Sequence, residues 1–391
     1  MLKNDAALEQ PRQKQQKNKL IVIPDSFKGS LSSMEVCEVV GGCAARCLPG
    51  WEVQLLPVAD GGEGTVDCFV AAAGFEWVWL TVQGPFGEPV KACYARRGGT
   101  AVVEMAQAAG LPMAQGRLDP ERASTYGVGQ LLRHAVEQGC RKLYLGLGGS
   151  CTNDAGAGAA AALGAVFLDE AGRPFVPVGG TLRNICAVNI QETQQLLQGC
   201  TVTAMCDIDS PLYGEQGAAY IFGPQKGADA AAVRRLDGGL RAFAQAVEKS
   251  LGKQVAHLPG AGAAGGFGAG VVALLGGRLQ SGIQTVLELV DFDRRVRDAR
   301  LVITGEGRLD GQSLRGKVVL GVAQQAGRYG VPVVAVAGSV ANNVDEIYSR
   351  GVTAAFSICR GPQSLQEAME NGKANLALAV ENILRFYAAA L

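Results

Sequence analysis

Short runs of apolar, β-branched residues alternate along the chain with longer segments whose apolar residues recur at helical spacing. This alternation is typical of a parallel α/β protein, in which each helix crosses back to the start of the next strand. The predicted strands are Leu20–Pro24, Val53–Ala59, Thr100–Met105, Lys142–Leu147, Thr201–Cys206, Leu301–Thr304, Val333–Ala337 and Thr353–Ile358. We therefore expect an α/β fold with parallel sheets.

The segment after the first predicted strand shows the helical pattern most clearly. Ser32 and Glu35 have the spacing of a capping box, which satisfies free backbone N–H groups at the start of a helix. The apolar face of that helix comprises Val36, Val39, Val40, Cys43 and Cys47. A helix beginning near residue 33 is the expected result.

Four of the predicted strands end in a carboxylate set in a turn rich in glycine or serine. The carboxylates are Asp25, Asp60, Asp207 and Glu306. In open α/β sheets, ligands bind outside the carboxyl ends of the strands. Glycine-rich turns expose N–H groups to an anion, whereas carboxylates repel one unless a divalent cation lies between them. The pattern predicts metal-assisted chemistry on a phosphorylated ligand.

The clearest candidate phosphate site lies in residues 142–164, where a predicted strand runs through a glycine-rich turn into an alanine-rich helix. The candidate residues of this turn are Gly146, Gly148, Gly149, Ser150, Asn153 and Asp154. Glycine lets the backbone approach a phosphate, and a helix N-terminus offers free N–H groups. The alternative is a tight turn that only packs against its neighbours.

Two further glycine-rich segments resemble known phosphate-binding patterns. Residues 260–265 match GxGxxG through Gly260, Gly262 and Gly265, but no clean strand precedes them, which disfavours a dinucleotide site. Residues 311–317 imitate a Walker A loop but continue with Val318, where serine or threonine is required for magnesium. Lysines and arginines in or beside these turns could bind phosphate or carboxylate: Lys28, Lys226, Arg308 and Arg315.

Composition narrows the class of protein. Lys+Arg and Asp+Glu both number 36, so the net charge gives no case for nucleic acid or an anionic membrane as partner. Eleven scattered cysteines with no CxxC pair, and only two histidines, disfavour a zinc site and fit a reducing cytoplasm. Residues 1–19 are polar and are predicted to be a disordered tail.

Chain length and the placement of the carboxylate turns suggest two domains. A length of 391 residues exceeds the usual size of one domain. Because carboxylate turns occur near both chain ends, we predict one domain from residues 20–83 and 294–391, with residues 84–293 inserted as a second. The Gly84–Pro85 pair and the charged stretch at 291–300 are the candidate boundaries.

Six segments, in order, resemble the signature blocks of the type 1 glycerate kinases, the group that forms 2-phosphoglycerate. They read IVIPDSFKGSLSS, PVADGGEGT, GLGGSCTNDAGAG, CDIDSPLYGEQGAAYIFGPQKGA, PGAGAAGGFGAG and TGEGRLDGQSLRGKV. The resemblance implies two α/β domains, one Rossmann-like and built from both chain ends, with the active site in the cleft. It also implies phosphoryl transfer from ATP to D-glycerate with Mg²⁺. The chain departs from the family pattern at Cys151, Ala155, Ser210 and Ser313.

Together, the residues and the resemblance suggest a division of roles. The catalytic candidates are Asp207, Asp60 and Lys28, and the identity of the base among Asp207, Asp60 and Asp25 stays open. The substrate-binding candidates are Asp25, Ser26, Lys28 and Arg308. The nucleotide-binding candidates are Gly148, Gly149, Ser150, Asn153, Asp154, Lys226, Gly262 and Gly265. The metal-binding candidates are Asp60, Glu63 and Glu306.

Two alternatives belong to other functional classes. One is a non-catalytic nucleotide-binding regulator, and the other is a dinucleotide-dependent dehydrogenase using residues 260–265. The expected partners are ATP and D-glycerate, with neither nucleic acid nor membrane, and self-association stays open.

Overall fold

The computed structural model describes residues 18–59, 61–62, 64–311, 313, 317–342 and 344–391. The strands in these residues are β1 (Lys19–Val22), β2 (Glu52–Leu55), β3 (Glu76–Gln83), β4 (Pro89–Arg97), β5 (Thr100–Glu104), β6 (Lys142–Gly146), β7 (Val166–Leu168), β8 (Pro174–Phe175), β9 (Ala187–Asn189), β10 (Thr201–Met205), β11 (Arg278–Gln280), β12 (Leu301–Leu309), β13 (Val333–Val340) and β14 (Ala354–Ser357). The helices are α1 (Ser33–Cys47), α2 (Thr65–Ala73), α3 (Ala106–Ala109), α4 (Tyr126–Glu137), α5 (Ala157–Ala162), α6 (Gln191–Leu196), α7 (Ala218–Phe222), α8 (Ala230–Leu251), α9 (Ala263–Ala273), α10 (Gly282–Leu289), α11 (Phe292–Val296), α12 (Val318–Gly327), α13 (Glu346–Ser349), α14 (Leu365–Glu370) and α15 (Gly372–Ala389).

A five-stranded sheet draws its strands from both ends of the chain, in the order β14-β13-β12-β1-β2. All four pairings are parallel, and Leu20 of β1 lies opposite Leu301 of β12. The residues of β1 are buried on both faces, as expected for a central strand of a parallel sheet covered by helices. The carboxyl ends of β1, β2 and β12 therefore lie side by side at one edge of this sheet.

A six-stranded sheet forms the middle of the chain, in the order β11-β10-β6-β5-β4-β3. Strands β11, β10, β6 and β5 are parallel, whereas β4 and β3 form an antiparallel hairpin at the edge. A small antiparallel sheet, in the order β8-β7-β9, lies beyond it in sequence. The α/β fold class predicted from the sequence is confirmed, and each predicted strand corresponds to an observed one.

The first predicted helix is also confirmed. Helix α1 has Ser32 as its N-cap, and the Ser32 hydroxyl and Glu35 carboxylate form the reciprocal bonds of a capping box. Val36, Val40 and Cys43 are buried under it. Together with α15, this helix covers one face of the five-stranded sheet.

A second hydrophobic cluster connects the two large sheets. It contains Val302 and Ala335 from the five-stranded sheet, and Ala95 and Val102 from the six-stranded sheet. Helices α2, α10 and α12 contribute further apolar side chains to the same cluster. The sheets are thus joined by a shared core as well as by the chain crossings between them.

The predicted domain boundaries stay a prediction, but two elements pair or pack with residues on the other side of a boundary. Strand β3 precedes the boundary at residue 83, yet it pairs with β4 in the six-stranded sheet. Gly84 lies in the hairpin turn, where its N–H donates to Glu88 O at 2.6 Å. Helix α10 precedes the boundary at residue 294, yet Ile283 packs in the cluster that contains α12.

The predicted disordered tail lies outside the described residues, apart from Asn18 and Lys19, of which Lys19 begins β1. Within the described residues, no helix combines the length and apolar character needed to cross a membrane.

Candidate functional site

A pocket of about 390 Å³ opens at the carboxyl ends of β6 and β10. Several of the residues predicted from the sequence line it: Gly148, Gly149, Ser150, Asp207 and Lys226. Gly62, from the turn after β2 of the other sheet, completes one side. Turns from both large sheets therefore meet around a single cavity.

Lys226 is a buried cation in the wall of this pocket. Its Nζ donates to Ser150 Oγ at 2.8 Å and to the Thr152 carbonyl at 2.7 Å. Burial lowers the pKa of Lys226 to about 8, which the nearby Cys151 and Asp154 only partly oppose. An ammonium group has three donors. With two of them engaged by the loop, one remains for a ligand in the pocket.

Asp154 lies beneath the pocket and is committed to the backbone. Its Oδ2 accepts from Thr125 N and Thr125 Oγ1, both at 2.8 Å, and its Oδ1 accepts from Gly156 N at 3.1 Å. Complete burial raises the pKa of Asp154, against the effect of these hydrogen bonds. Asp154 therefore shapes the loop and the start of α5, and it does not line the pocket.

Asn153 is fully buried beside it. Neither its Oδ1 nor its Nδ2 has a hydrogen-bond partner among the residues the structure describes. Buried amides usually form hydrogen bonds, because an unpartnered polar group costs free energy. Asn153 is therefore the predicted nucleotide-binding residue with unused hydrogen-bonding capacity.

The glycines at 262 and 265 serve close packing between loops. A Cβ at Gly265 would lie 2.1 Å from the Thr152 carbonyl oxygen, and a Cβ at Gly262 would lie 2.4 Å from the Pro211 carbonyl oxygen. Their neighbours Ala263 and Ala264 line the pocket. Residues 252–262, which precede α9, form turns and no strand. The strand–turn–helix context of a dinucleotide fingerprint is therefore missing.

Ala155, one of the departures from the family pattern, has a backbone conformation that favours glycine. Its φ is 53°, in the left-handed region that glycine adopts without strain. The Ala155 N–H donates to the Gly265 carbonyl at 3.1 Å, which ties the two glycine-rich loops together. The chain retains the loop conformation despite the departure from glycine.

The two sheets touch backbone to backbone beside the pocket. Gly148 N donates to Gly61 O at 3.0 Å. A Cβ at Gly146 would lie 2.5 Å from Gly61 O, and a Cβ at Gly148 would lie 2.5 Å from Gly62 Cα. Gly148 is therefore required for the contact between the sheets.

Asp207 follows β10 and lines the pocket. Its Oδ1 accepts from Ser281 Oγ at 3.0 Å and from Gly282 N at 2.9 Å, at the start of α10. These bonds fix the orientation of the carboxylate. Cys206 also lines the pocket, and burial raises the pKa of its thiol.

Asp25 lies just beyond the carboxyl end of β1, whereas Glu306 lies within the adjacent strand β12, which continues to Leu309 and does not end before Glu306 as the sequence predicted. Both are buried, and the Asp25 N–H donates to Gly305 O at 2.8 Å. Asp25 Oδ1 accepts the Ser26 N–H at 2.6 Å. Paired strands lie about 4.8 Å apart, so these carboxylates are one and two strands from the turn after β2. Two buried carboxylates on neighbouring strands suit a hard divalent cation, which prefers oxygen ligands.

Two predicted cations lie at the rim of the same sheet. Lys28 is exposed, and its backbone packs closely against Gly307. Arg308 is largely exposed and forms an ion pair with Asp310 at 3.3 Å. The structure thus places both near the segments that carry Asp25 and Glu306, and neither lines the pocket.

Three predicted residues, Asp60, Glu63 and Arg315, lie outside the described residues. In the part of the chain that is described, no three His, Cys, Asp or Glu side chains cluster as a metal site requires. The proposed metal ligands Asp60 and Glu63 therefore stay a prediction.

Sequence reasoning missed Glu104, which ends β5 next to Gly146 of β6. Its side chain is buried, and its Oε1 accepts the Val66 N–H at the start of α2. Burial raises the pKa of Glu104 to about 7, although hydrogen bonds from the backbone of Val66 and Gly64 favour the ionised form. The available signal was a charged residue directly after the apolar run TAVV.

Comparisons of the sequence with a family model and with known proteins all match glycerate kinases. The model of the glycerate kinase family matches residues 20–388. The chain is 44% identical to a glycerate kinase of Halalkalibacterium halodurans, over 94% of this chain and 97% of that protein. It is 40% identical to the glycerate 2-kinase of Escherichia coli, over 93% of this chain and 97% of that protein.

A solved structure agrees with these sequence relatives. The crystal structure of a protein assigned as glycerate kinase 2 in Salmonella typhimurium LT2 superposes with a TM-score of 0.85. The two chains are 37% identical, and the match covers 96% of this chain and 99% of the other.

The fold is that of an α/β enzyme with a pocket where turns from two sheets meet. The chain belongs to the glycerate kinase family. It is therefore a kinase, a transferase whose family acts on glycerate.

Proposed function

We propose that the protein transfers the γ-phosphoryl group of ATP to the 2-hydroxyl of D-glycerate, giving 2-phospho-D-glycerate and ADP. One observation carries the proposal: Lys226, the 148–150 loop and Asp207 line the same pocket. Phosphoryl transfer requires mainly charge neutralisation and alignment of the two substrates. Lys226 and the loop on one side of the pocket, with the Asp207 carboxylate on another, meet those requirements.

The nucleotide phosphates bind at the 148–150 loop. The remaining donor of Lys226 and the backbone N–H group of Gly149 are the donors for them, since the Gly148 N–H already donates to Gly61 O. Lys226 also donates to Ser150 and Thr152, so that it positions the loop in addition to placing a positive charge beside it. The unused amide of Asn153 lies directly behind this loop.

The acceptor binds towards the strand ends of the five-stranded sheet. Lys28 and Arg308 are the cations available there for the carboxylate of glycerate, with Asp25 and Ser26 in the same turn. Asp207 accepts the proton of the 2-hydroxyl while the hydroxyl oxygen of glycerate forms a bond to the γ-phosphorus of ATP. The bond between that phosphorus and the bridging oxygen breaks, and ADP leaves with the bonding electrons.

Magnesium is the cation that the carboxylates suit. Asp60, Glu63 and Glu306 are the residues that would hold it, with Asp25 close to Glu306. When bound, Mg²⁺ neutralises charge on the β- and γ-phosphates. Its presence would explain why acidic side chains surround a site for anions.

We expect ADP release that depends on ATP, magnesium and D-glycerate, with turnover of about 1–100 per second, the range common to kinases. A coupled ADP assay measures this, with L-glycerate, glycerol and pyruvate as the comparison acceptors. Glycerol lacks the carboxylate and pyruvate lacks the hydroxyl, so both should be poor acceptors. An equal rate of ADP release with and without D-glycerate would contradict the proposal and leave a nucleotide-binding regulator as the better hypothesis.

We expect the product to be the 2-phosphate. The support is the similarity to the glycerate 2-kinase of Escherichia coli. Proton-coupled phosphorus NMR distinguishes the products, since phosphate on the secondary carbon couples to one proton and phosphate on the primary carbon couples to two. A triplet in place of a doublet would overturn the assignment of position and leave the kinase activity intact.

A further inference from the structure

Helix α2 begins without a cap from its own segment. Its N-cap residue is Gly64, with φ 86°, and no side chain there accepts a hydrogen bond from the first turn. The first N–H groups of a helix need partners from outside the helix. A partner for α2 must therefore come from elsewhere in the fold.

Glu104 is that partner. It lies on β5 of the six-stranded sheet, whereas α2 follows β2 of the five-stranded sheet. Its Oε1 accepts the N–H of Val66, the second residue of α2. A capping side chain ordinarily binds this N–H or the next one. Glu104 is 1% exposed, so the bond is shielded from water. A residue 38 positions away thus performs a capping role that is usually local.

The position of Glu104 relates this cap to the pocket. Glu104 lies opposite Gly146 in the pairing of β5 with β6, and β6 leads directly into the 148–150 loop. Gly146 and Gly148 contact Gly61 and Gly62 of the turn that precedes α2. The turn is therefore held to the six-stranded sheet at two points, by glycine contacts at residues 61–62 and by Glu104 at residue 66.

We infer that Glu104 is a positioning residue for the reaction, which holds residues 61–62 and 64–66 in register with the 148–150 loop. These residues include Gly62 of the pocket wall and are adjacent in sequence to the predicted ligand Glu63. A loose segment would leave the nucleotide loop intact, because Lys226 secures that loop independently. Loss of Glu104 should therefore impair turnover more than nucleotide binding. The kinetic part of this inference rests on the proposed function.

Three substitutions at Glu104 distinguish the effect of where its side-chain oxygen lies from the effect of its charge. Glu104→Gln keeps an oxygen that can accept the Val66 N–H and removes the charge. Glu104→Asp keeps the charge but draws the carboxylate back by about 1.5 Å, one carbon–carbon bond. Glu104→Ala removes both. The matched control is Asn189→Ala, because Asn189 Oδ1 likewise accepts a backbone N–H at a helix start, from Gln191 at 2.9 Å, and lies outside the pocket.

The first measurement is amide hydrogen exchange, which needs no activity. In Glu104→Ala and Glu104→Asp, exchange in residues 61–69 should accelerate by about tenfold or more, since the cap and its turn open locally. Glu104→Gln should stay within about threefold of the parent in this segment. Asn189→Ala should accelerate exchange only around residues 190–197.

The second measurement is steady-state kinetics on the same variants. Turnover of Glu104→Ala and Glu104→Asp should fall by about tenfold or more, with the KM for ATP changed by less than about threefold. Glu104→Gln should retain turnover within about threefold of the parent. If Glu104→Ala does not fold, Glu104→Asp decides by the same criteria.

Two results would overturn the inference. One is a Glu104→Asp variant with parental exchange at residues 61–69 or with turnover within about twofold of the parent. The other is a Glu104→Gln variant as impaired as Glu104→Asp, which would mean that charge and not position matters. If the parent itself shows no glycerate phosphorylation, the proposed function fails. The exchange measurement then decides the structural claim alone.

Discussion

Replacing Asp207 with asparagine should lower turnover by about 10²–10⁴ and leave the fold intact. The amide oxygen of asparagine can still accept from Ser281 Oγ and Gly282 N, so the cap at the start of α10 survives. What is lost is the negative charge in the pocket wall. A base acts on the transition state, so the KM values should change little. Steady-state kinetics with circular dichroism on the purified variant checks both statements.

The magnesium dependence of the variant distinguishes two roles for Asp207. If it is the base, raising magnesium should not restore turnover. If it is a metal ligand, raising magnesium should restore part of it, because the cation binds more weakly but is still used. Asp209→Asn is the matched control, since Asp209 is exposed two residues later and does not line the pocket. Turnover of folded Asp207→Asn within about threefold of the parent would exclude both roles.

Replacing Lys226 with methionine should raise the KM for ATP by about 10–100-fold, the effect of losing one hydrogen bond from a charged donor. Methionine fills a similar volume but cannot bind Ser150, Thr152 or a phosphate. Lys253→Met is the control, because Lys253 is partly buried, donates two hydrogen bonds, to Val272 O and Ala273 O, and lies outside the pocket. If the KM for ATP is the same in Lys226→Met and in the parent, the nucleotide phosphates bind elsewhere.

The same lysine gives the protein a measurable pH dependence of stability. Its pKa is 10.5 in a free side chain and about 8 in the fold. The folded state binds this proton more weakly, so the stability that Lys226 contributes is present above pH 10.5 and is lost as the pH falls through about 8. Between pH 7 and 10, the parent should gain on the order of 2 kcal/mol relative to Lys226→Met. Chemical denaturation across this range measures the difference, and a constant difference would show that Lys226 is not shielded from water.

The parallel strands could be predicted from the sequence because each is a continuous apolar run followed by a glycine-rich turn. The β3–β4 hairpin was missed because its strands carry exposed tryptophans, Trp77 and Trp79, and a buried tyrosine, Tyr94, among charged residues. The Gly84–Pro85 pair then suggested a domain boundary, although the hairpin turn has the same residue types as a linker. An edge hairpin depends on pairing across strands, which a local pattern does not show.

The candidate site could likewise be predicted only where a local sequence pattern identifies its residues. Motif spacing identified the 148–150 loop, Lys226 and Asp207, and all of them line the pocket. Spacing could not separate Ser150, which faces the pocket, from Asp154, which is buried and bonded to Thr125. Glu104 escaped because its partner, Val66, is distant in sequence. Such a bond becomes visible only when the end of β5 and the start of α2 are placed side by side.

The glycines at 61, 146 and 148 have a consequence for engineering. Because their contact is made by main-chain atoms, it carries no information about the side chains around it. A chimaera that joins the five-stranded half of one relative to the six-stranded half of another should keep this contact whenever both parents have glycine at these positions. Only the side chains of the shared core would then need to be matched before acceptor preference is exchanged as a module.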